Sequence, residues 1–277
     1  MFLTSVSGQN ETYQKANKLY DSGKYFEASV EYERVIFNNP NPDILYQTRY
    51  QKALCYRQLQ RHEDALSELN RINLFSADDT LRTLIFYEKA FNYLLSDHIT
   101  QALLNINHIN EKKLPQSTWT NIQPLKILIL NRNREWERAE SVFNSWIDTL
   151  IVDKKLTENW NDSIDAFYAE NNLPKNYSEE TARNWSRFIP GAGHAYAGHP
   201  WEGAASFLLN ASALGFGLHQ LWYRYYFTGY VAGLGIFHKT YFGGMERAGH
   251  LANIERTNEM TEFNEDCTRL IRRILRE

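Results

Sequence analysis

The stretch ANKLYDSGKYFEA, from Ala16 to Ala28, decides the fold, because its pattern returns three more times along the chain. The two alanine positions recur every 37 residues, as Ala16, Ala53, Ala90 and Ile127 and as Ala28, Ala65, Ala102 and Ala139. Between them apolar residues return every three or four positions, which is the period of an α-helix. Small residues at a fixed phase let antiparallel helices approach closely, so the sequence predicts a stack of helix pairs.

The first unit resembles the tetratricopeptide repeat family. It carries that family's order of small, aromatic, glycine and alanine positions, continued by Tyr32, Val35 and Pro40. The resemblance implies an all-α fold, with a solenoid of four 37-residue units and a capping helix over residues 10–173. The family period is about 34 residues, so each unit here has a longer helix or loop. Gly23 becomes Gln60, Asp97 and Arg134 in later units, which leaves the geometry of these turns open.

The same resemblance implies a binding face for a partner protein. Members of the family hold an extended peptide or a partner helix on the concave face made by the first helix of each pair. The matching positions here are Tyr13, Asn17, Tyr20, Tyr50, Leu54, Arg57, Tyr87, Phe91 and Leu94. Three of the tyrosines are spaced by 37 residues, and aromatic ladders offer wide contact area at low entropic cost. The alternative, that these tyrosines only pack one repeat against the next, is equally open.

Composition and motifs exclude several classes of function. With 30 basic and 33 acidic residues the net charge is −3, which disfavours a nucleic-acid surface. Two cysteines, Cys55 and Cys267, are too few for a disulfide framework. The chain has no phosphate-binding glycine loop and no nucleophile elbow, and its histidines lack metal-ligand spacing. We therefore expect no enzyme activity, no cofactor, no metal and no nucleic-acid partner.

Glycine separates a second region from the first. Twelve of the 14 glycines lie between Gly191 and Gly249. After a linker and helix at 174–187, a glycine-rich helical hairpin is predicted at 188–250 and an amphipathic helix at 251–277. The run from Gly203 to Tyr223 has 21 residues without a formal charge, long enough to cross a bilayer. The sequence thus favours a membrane-embedded hairpin, and a hairpin buried in a soluble protein is the alternative.

The start of this hairpin has a resemblance of its own. The segment PGAGHAYAGHPWEG, at 190–203, is similar to the entry motif of small two-span bacterial membrane domains of the TM2-like kind. That resemblance implies contact with a lipid bilayer or a membrane protein. The residues expected at the membrane or its interface are Tyr196, Trp201, Trp222, Tyr223, Arg224, Tyr225, Gly229 and Gly233.

These features together predict a non-enzymatic scaffold, anchored to a bacterial membrane and active in assembly of the cell envelope. Residues 1–9 resemble the end of a signal peptide, which would make the repeats periplasmic; otherwise they face the cytoplasm. Two other functions stay open. One is a structural subunit of a larger membrane complex, and the other is a fully soluble repeat protein with a buried hairpin.

Overall fold

The structure, a computed structural model, describes residues 3–38, 40–153 and 160–276, with side chains from Glu11 onward. Every regular element in these ranges is helical and none is a strand, which confirms the all-α prediction. The chain forms two compact units, one extending to Tyr168 and one from Ala169 to Arg276. Of the predicted signal remnant, Met1 and Phe2 lie outside the described residues, and the chain from Leu3 belongs to the first helix.

The first unit is a succession of helices that each pack on their neighbours in the chain. Their bounds are α1 (Leu3–Asp21), α2 (Tyr25–Phe37), α3 (Pro42–Gln58), α4 (His62–Asn70), α5 (Asp79–Leu95), α6 (Ile99–Asn107), α7 (Gln116–Arg132), α8 (Trp136–Val152) and α9 (Asn161–Phe167), with a 3-10 turn at Glu111–Lys113. The odd-numbered helices α3, α5 and α7 also contact one another in order. This arrangement places one side of α3, α5 and α7 along a common face.

The recurring alanines lie at the contacts between these helices. Ala28, Ala65, Ala102 and Ala139 are all fully buried. Each is surrounded by larger apolar side chains, such as Tyr32 beside Ala28 and Leu69 beside Ala65. A side chain longer than a methyl group at these positions would hold the paired helices apart, because protein interiors are already close-packed.

The turn inside each helix pair has the same conformation four times. Gly23, Gln60, Asp97 and Arg134 all have left-handed backbones, with φ of 77°, 59°, 59° and 60°. After each of them an amide donates a hydrogen bond to the carbonyl five residues earlier, as Lys24 does to Leu19. This is the Schellman arrangement that ends a helix. The replacement of glycine therefore leaves the turn intact but puts three residues with side chains into a strained region.

Gln60→Gly is expected to stabilise the first unit. Relief of the left-handed strain is worth about 1–2 kcal/mol, and the added freedom of glycine in the unfolded chain offsets about 0.5–1 kcal/mol of it. The net gain of about 0.5–1 kcal/mol should appear as a higher urea midpoint. Gly23→Ala is the matched control: a Cβ there meets nothing within 4 Å, so only the backbone is strained, and stability should fall. Equal midpoints for both variants would contradict this interpretation.

The second unit is built around two long helices and a short glycine-rich junction. Its elements are a 3-10 turn at Glu170–Asn172, α10 (Glu179–Phe188), α11 (Ala192–Tyr196), α12 (Pro200–Trp222), α13 (Tyr226–Thr228), a π-helical segment at Gly229–Leu234 and α14 (Gly235–Ile274). Helix α14 packs on α10, α11 and α12. It runs without interruption through residue 250, where the sequence suggests a boundary between the hairpin and the last helix.

Glycines hold the two arms of the hairpin together. A Cβ on Gly217 would lie 3.1 Å from Cα of Gly233, and a Cβ on Gly229 would lie 3.1 Å from the Gly217 carbonyl oxygen. Ala213, one turn before Gly217, is also buried. Gly215, in contrast, faces open space. The close contact between backbones is therefore confined to one side of α12, where the residues are small.

The predicted membrane span is wrong. None of the helices in the described ranges combines the length and the apolar character that crossing a bilayer requires. The run at 203–223 is uncharged but not strongly apolar, since Asn210, His219 and Gln220 interrupt it and glycine, alanine and serine fill much of the rest. The second arm continues into α14, which carries many charged residues. Membrane association, and the localisation in a bacterial cell envelope inferred from it, are therefore not supported.

Candidate partner-binding surface

Three odd-numbered helices bring most of the predicted binding residues to one place. Tyr20 is on α1, Tyr50 and Arg57 are on α3, and Tyr87 and Phe91 are on α5. The charge of Arg57 acts on the phenols of Tyr20, Tyr50 and Tyr87, which shows that these groups are neighbours. We call this set of five residues the first-helix face.

Arg57 is fixed at this face by contacts with the next helix pair. Its Nη1 donates hydrogen bonds to both carboxylate oxygens of Glu88, at 2.7 and 2.9 Å. Its guanidinium carbon lies 5.3 Å from the ring centre of Phe91, a cation–π distance. Glu88 is only 4% exposed, and burial raises the pKa of its carboxyl although Arg57 acts in the opposite direction. The pair therefore ties α3 to α5 and holds a planar cation beside an aromatic ring.

The phenols of Tyr50 and Tyr87 are half-buried and have no protein partner. Burial raises the pKa of both phenols, and Glu88 adds to the effect, so they are neutral at any physiological pH. Neither hydroxyl forms a hydrogen bond with the residues that the structure describes. Their rings pack against the cores of the second and third helix pairs. Each side chain thus combines a rigid ring with a free polar end.

Other predicted residues of the face are engaged in packing within the first unit. Tyr13 meets Tyr32 edge-on at 5.9 Å, and Asn17 accepts a 2.7 Å hydrogen bond from the hydroxyl of Tyr32. Leu54 is half-buried, and Leu94 packs against the core of the third pair. The contacts of Tyr13 and Asn17 with Tyr32 lie within the first helix pair, and so differ from the packing of one repeat against the next that the sequence leaves open as the alternative.

A depression beside the face includes residues that sequence reasoning missed. It has a volume of about 560 Å³ and is lined by Arg57, Gln58, Gln60, His62, Tyr87, Phe91 and Leu95. Leu95 is 51% exposed, which gives the depression an apolar rim. Glu88 was also missed. The sequence does distinguish Glu88, because it has a carboxylate at a position where the two preceding units have Gln14 and Gln51.

The residues predicted at a membrane surface are dispersed over the second unit. Tyr196 is packed edge-on against Tyr177, and its hydroxyl accepts a hydrogen bond from the amide of Ser178. Trp201 and Trp222 are 86% and 83% exposed, and Tyr223 and Tyr225 are also exposed. Arg224 occupies the left-handed turn between α12 and α13, and Gly229 and Gly233 are buried against α12. The membrane role predicted for these eight residues is not supported, because the span it requires is missing.

His194, His199 and His250 of the second unit have different surroundings. Nε2 of His199 lies 3.1 Å from a carboxylate oxygen of Glu255, while His194 is buried and His250 is exposed on α14. Burial lowers the pKa of His194, which keeps it neutral. Across the ranges that the structure describes, no cluster of histidine, cysteine and acidic side chains is suited to hold a metal ion.

No protein-family model matches the sequence, and no solved structure is significantly similar to the fold. The resemblance to tetratricopeptide repeats therefore depends on the residues of this chain alone.

Proposed function

We propose that this protein is a non-enzymatic adaptor whose first unit is a tetratricopeptide-like solenoid that holds a partner polypeptide. The 37-residue spacing of buried alanines and the four equal left-handed turns support the repeat assignment. The partner is an extended peptide or a helix lying across α1, α3 and α5.

The observation that carries the proposal is the composition of the first-helix face. Arg57, Tyr50 and Tyr87 are the residue types that dominate binding energy at protein interfaces. Arg57 is held in place by Glu88, so little side-chain entropy is lost when a partner binds. The free phenol groups of Tyr50 and Tyr87 can exchange hydrogen bonds with the backbone of a bound peptide, while their rings cover its apolar side chains.

Tyr50→Ala and Tyr87→Ala are each expected to weaken peptide binding at least about tenfold, the loss of a typical interface hot spot. The assay selects ligands for the full chain from a displayed random-peptide library. Dissociation constants for the selected peptides are then measured by fluorescence anisotropy. Circular dichroism of each variant reports whether its helices are retained.

The matched control is Tyr56→Ala. Tyr56 is on the same helix as Tyr50 and packs on the same core, but its ring lies under Arg61 and near Lys52, on the other side of α3. Its replacement should cost similar stability and leave peptide affinity unchanged. If all three variants keep the wild-type affinity for the peptide, or if all three lose affinity equally, the first-helix face is ruled out as the binding site.

A further inference from the structure

A column of lysines follows the repeats. Lys15, Lys52, Lys89 and Lys126 are spaced by 37 residues, one on each of α1, α3, α5 and α7. They lie on a different side of these helices from the first-helix face: Lys15 and Lys52 border a separate cavity together with Phe26 and Val30 of α2.

Three of these lysines are neutralised by carboxylates of the chain itself. Nζ of Lys15 lies 2.8 Å from Glu31 of α2. Nζ of Lys52 lies 2.9 Å from Glu68 of α4 and 2.5 Å from Glu33 of α2. Lys126 pairs with Glu111. For Lys15 the carboxylate comes from the second helix of the same pair, and for Lys126 it comes from the preceding turn. Lys52 has one carboxylate from the second helix of its own pair and one from the preceding helix.

Lys89 has no such partner. One repeat after Glu68 the chain has Asn105, and one repeat after Glu33 it has Asn70, so both carboxylate positions are neutral amides. The amide of Asn105 instead donates a hydrogen bond to the carbonyl of Gln101. Lys89 is 8% exposed and forms no hydrogen bond or ion pair with the described residues, and burial lowers the pKa of its ammonium.

A buried ammonium without a counter-charge is unfavourable, and natural proteins retain such groups mostly where they serve a function. The ammonium is not completely enclosed, since Lys89 keeps 8% of its surface exposed. The three equivalent sites show which ligand fits this place, because each is filled by a carboxylate.

We propose that Lys89 is a binding site for a carboxylate supplied by another protein, an Asp or Glu side chain that enters beside Asn70 and Asn105. The acidic side chain takes the place that Glu68 holds at Lys52. This site is separate from the first-helix face, and either can exist without the other.

The test measures how fast individual lysines of the full chain react with acetic anhydride, by peptide mass spectrometry. The probe is N-acetyl hexaglutamate at millimolar concentration, with hexaglutamine as the uncharged comparison. Hexaglutamate is expected to slow acetylation of Lys89 at least about threefold, while exposed Lys24 keeps its rate. Hexaglutamine should protect neither lysine. Equal protection of Lys24 and Lys89, or protection of neither, would overturn the proposal.

Asn105→Glu provides a second test, because it restores in the chain the carboxylate that Glu68 supplies to Lys52. In this variant Lys89 should react slowly without any peptide, and hexaglutamate should slow it no further. Lys89→Met keeps the apolar stem of the side chain, so we expect the variant to fold. Its affinity for labelled hexaglutamate, measured by fluorescence anisotropy, should be abolished. Undiminished affinity of Lys89→Met would overturn the proposal independently of the reactivity data.

Discussion

Gly193→Ala is expected to unfold the second unit and to leave the first unit folded. A Cβ on Gly193 would lie far inside van der Waals contact with the carbonyl oxygen of Ala182 and 2.5 Å from Oγ of Ser186. The amide of Gly193 also donates a hydrogen bond to that Oγ, so the serine cannot turn away without leaving a buried donor unpaired. Backbone atoms of α10 and α11 must separate. We therefore expect the free energy of unfolding of the second unit to fall by about 3 kcal/mol or more.

Hydrogen exchange of the full chain resolves this effect by region. Amides in residues 169–276 should lose protection in Gly193→Ala, while those in 11–168 keep it. Gly215→Ala is the matched control, since a Cβ there meets nothing within 4 Å and the residue lies inside α12. An alanine at such a helical position should stabilise by up to about 1 kcal/mol. Similar protection patterns in the two variants would contradict the close packing of α10 and α11.

The glycine distribution predicted a change in architecture but not the role of each glycine. Gly191 and Gly198 have φ of 90° and 83°, as expected for glycines that form turns. Gly193 and Gly203 are buried where two backbones meet, and Gly191, although it forms a turn, is the other side of the contact at Gly203. Turn chemistry is local and visible in a sequence, whereas a contact between backbones depends on how distant helices are placed. For this reason the sequence predicts the turns but not the backbone contacts of Gly191, Gly193 and Gly203.

The same limit explains the error about the membrane. A count of uncharged residues over 203–223 suggested a span, but glycine, alanine, serine and Asn210 contribute little hydrophobic free energy. In the structure Asn210 is buried and accepts a hydrogen bond from Thr240 of α14, so its presence serves packing between the two arms.

For the first unit, periodicity predicts helices, and the candidate face comes from the resemblance to tetratricopeptide repeats. Tyr50, Arg57, Tyr87 and Phe91 are predicted as binding residues because they match the positions that the family uses. Glu88 was missed because it departs from the repeat: the ion pair with Arg57 joins two residues that have no equivalents elsewhere in the chain. A search for repeated positions finds the common framework, and the residues that make one unit different need coordinates.

Arg57→Met is expected to destabilise the first unit by about 3 kcal/mol at pH 7. Methionine keeps the apolar contact with Phe91 but leaves the buried carboxylate of Glu88 without its counter-charge. Arg61→Met is the control, since Arg61 forms a similar pair with Asp64 that is exposed to solvent. Its urea midpoint should stay close to that of the wild type.

The penalty in Arg57→Met should depend on pH in a defined direction. Burial already places the pKa of Glu88 above its ordinary value, and loss of Arg57 removes an influence that lowers it. An acid whose pKa is higher in the folded state opposes folding once pH exceeds its unfolded pKa of about 4.3. Below that pH both states are protonated and the penalty vanishes, so the variant should approach wild-type stability near pH 4.

The double variant Arg57→Met with Glu88→Gln separates charge from packing. Removing the carboxylate should recover most of the stability lost at pH 7 and abolish the pH dependence of the difference from wild type. If the double variant is no more stable than Arg57→Met, the cost lies in lost contacts of the arginine stem. The ion pair would then contribute little to joining α3 and α5. Recovery would instead show that the charge of Glu88 holds Arg57 at the first-helix face, which is the rigidity that the proposed partner binding requires.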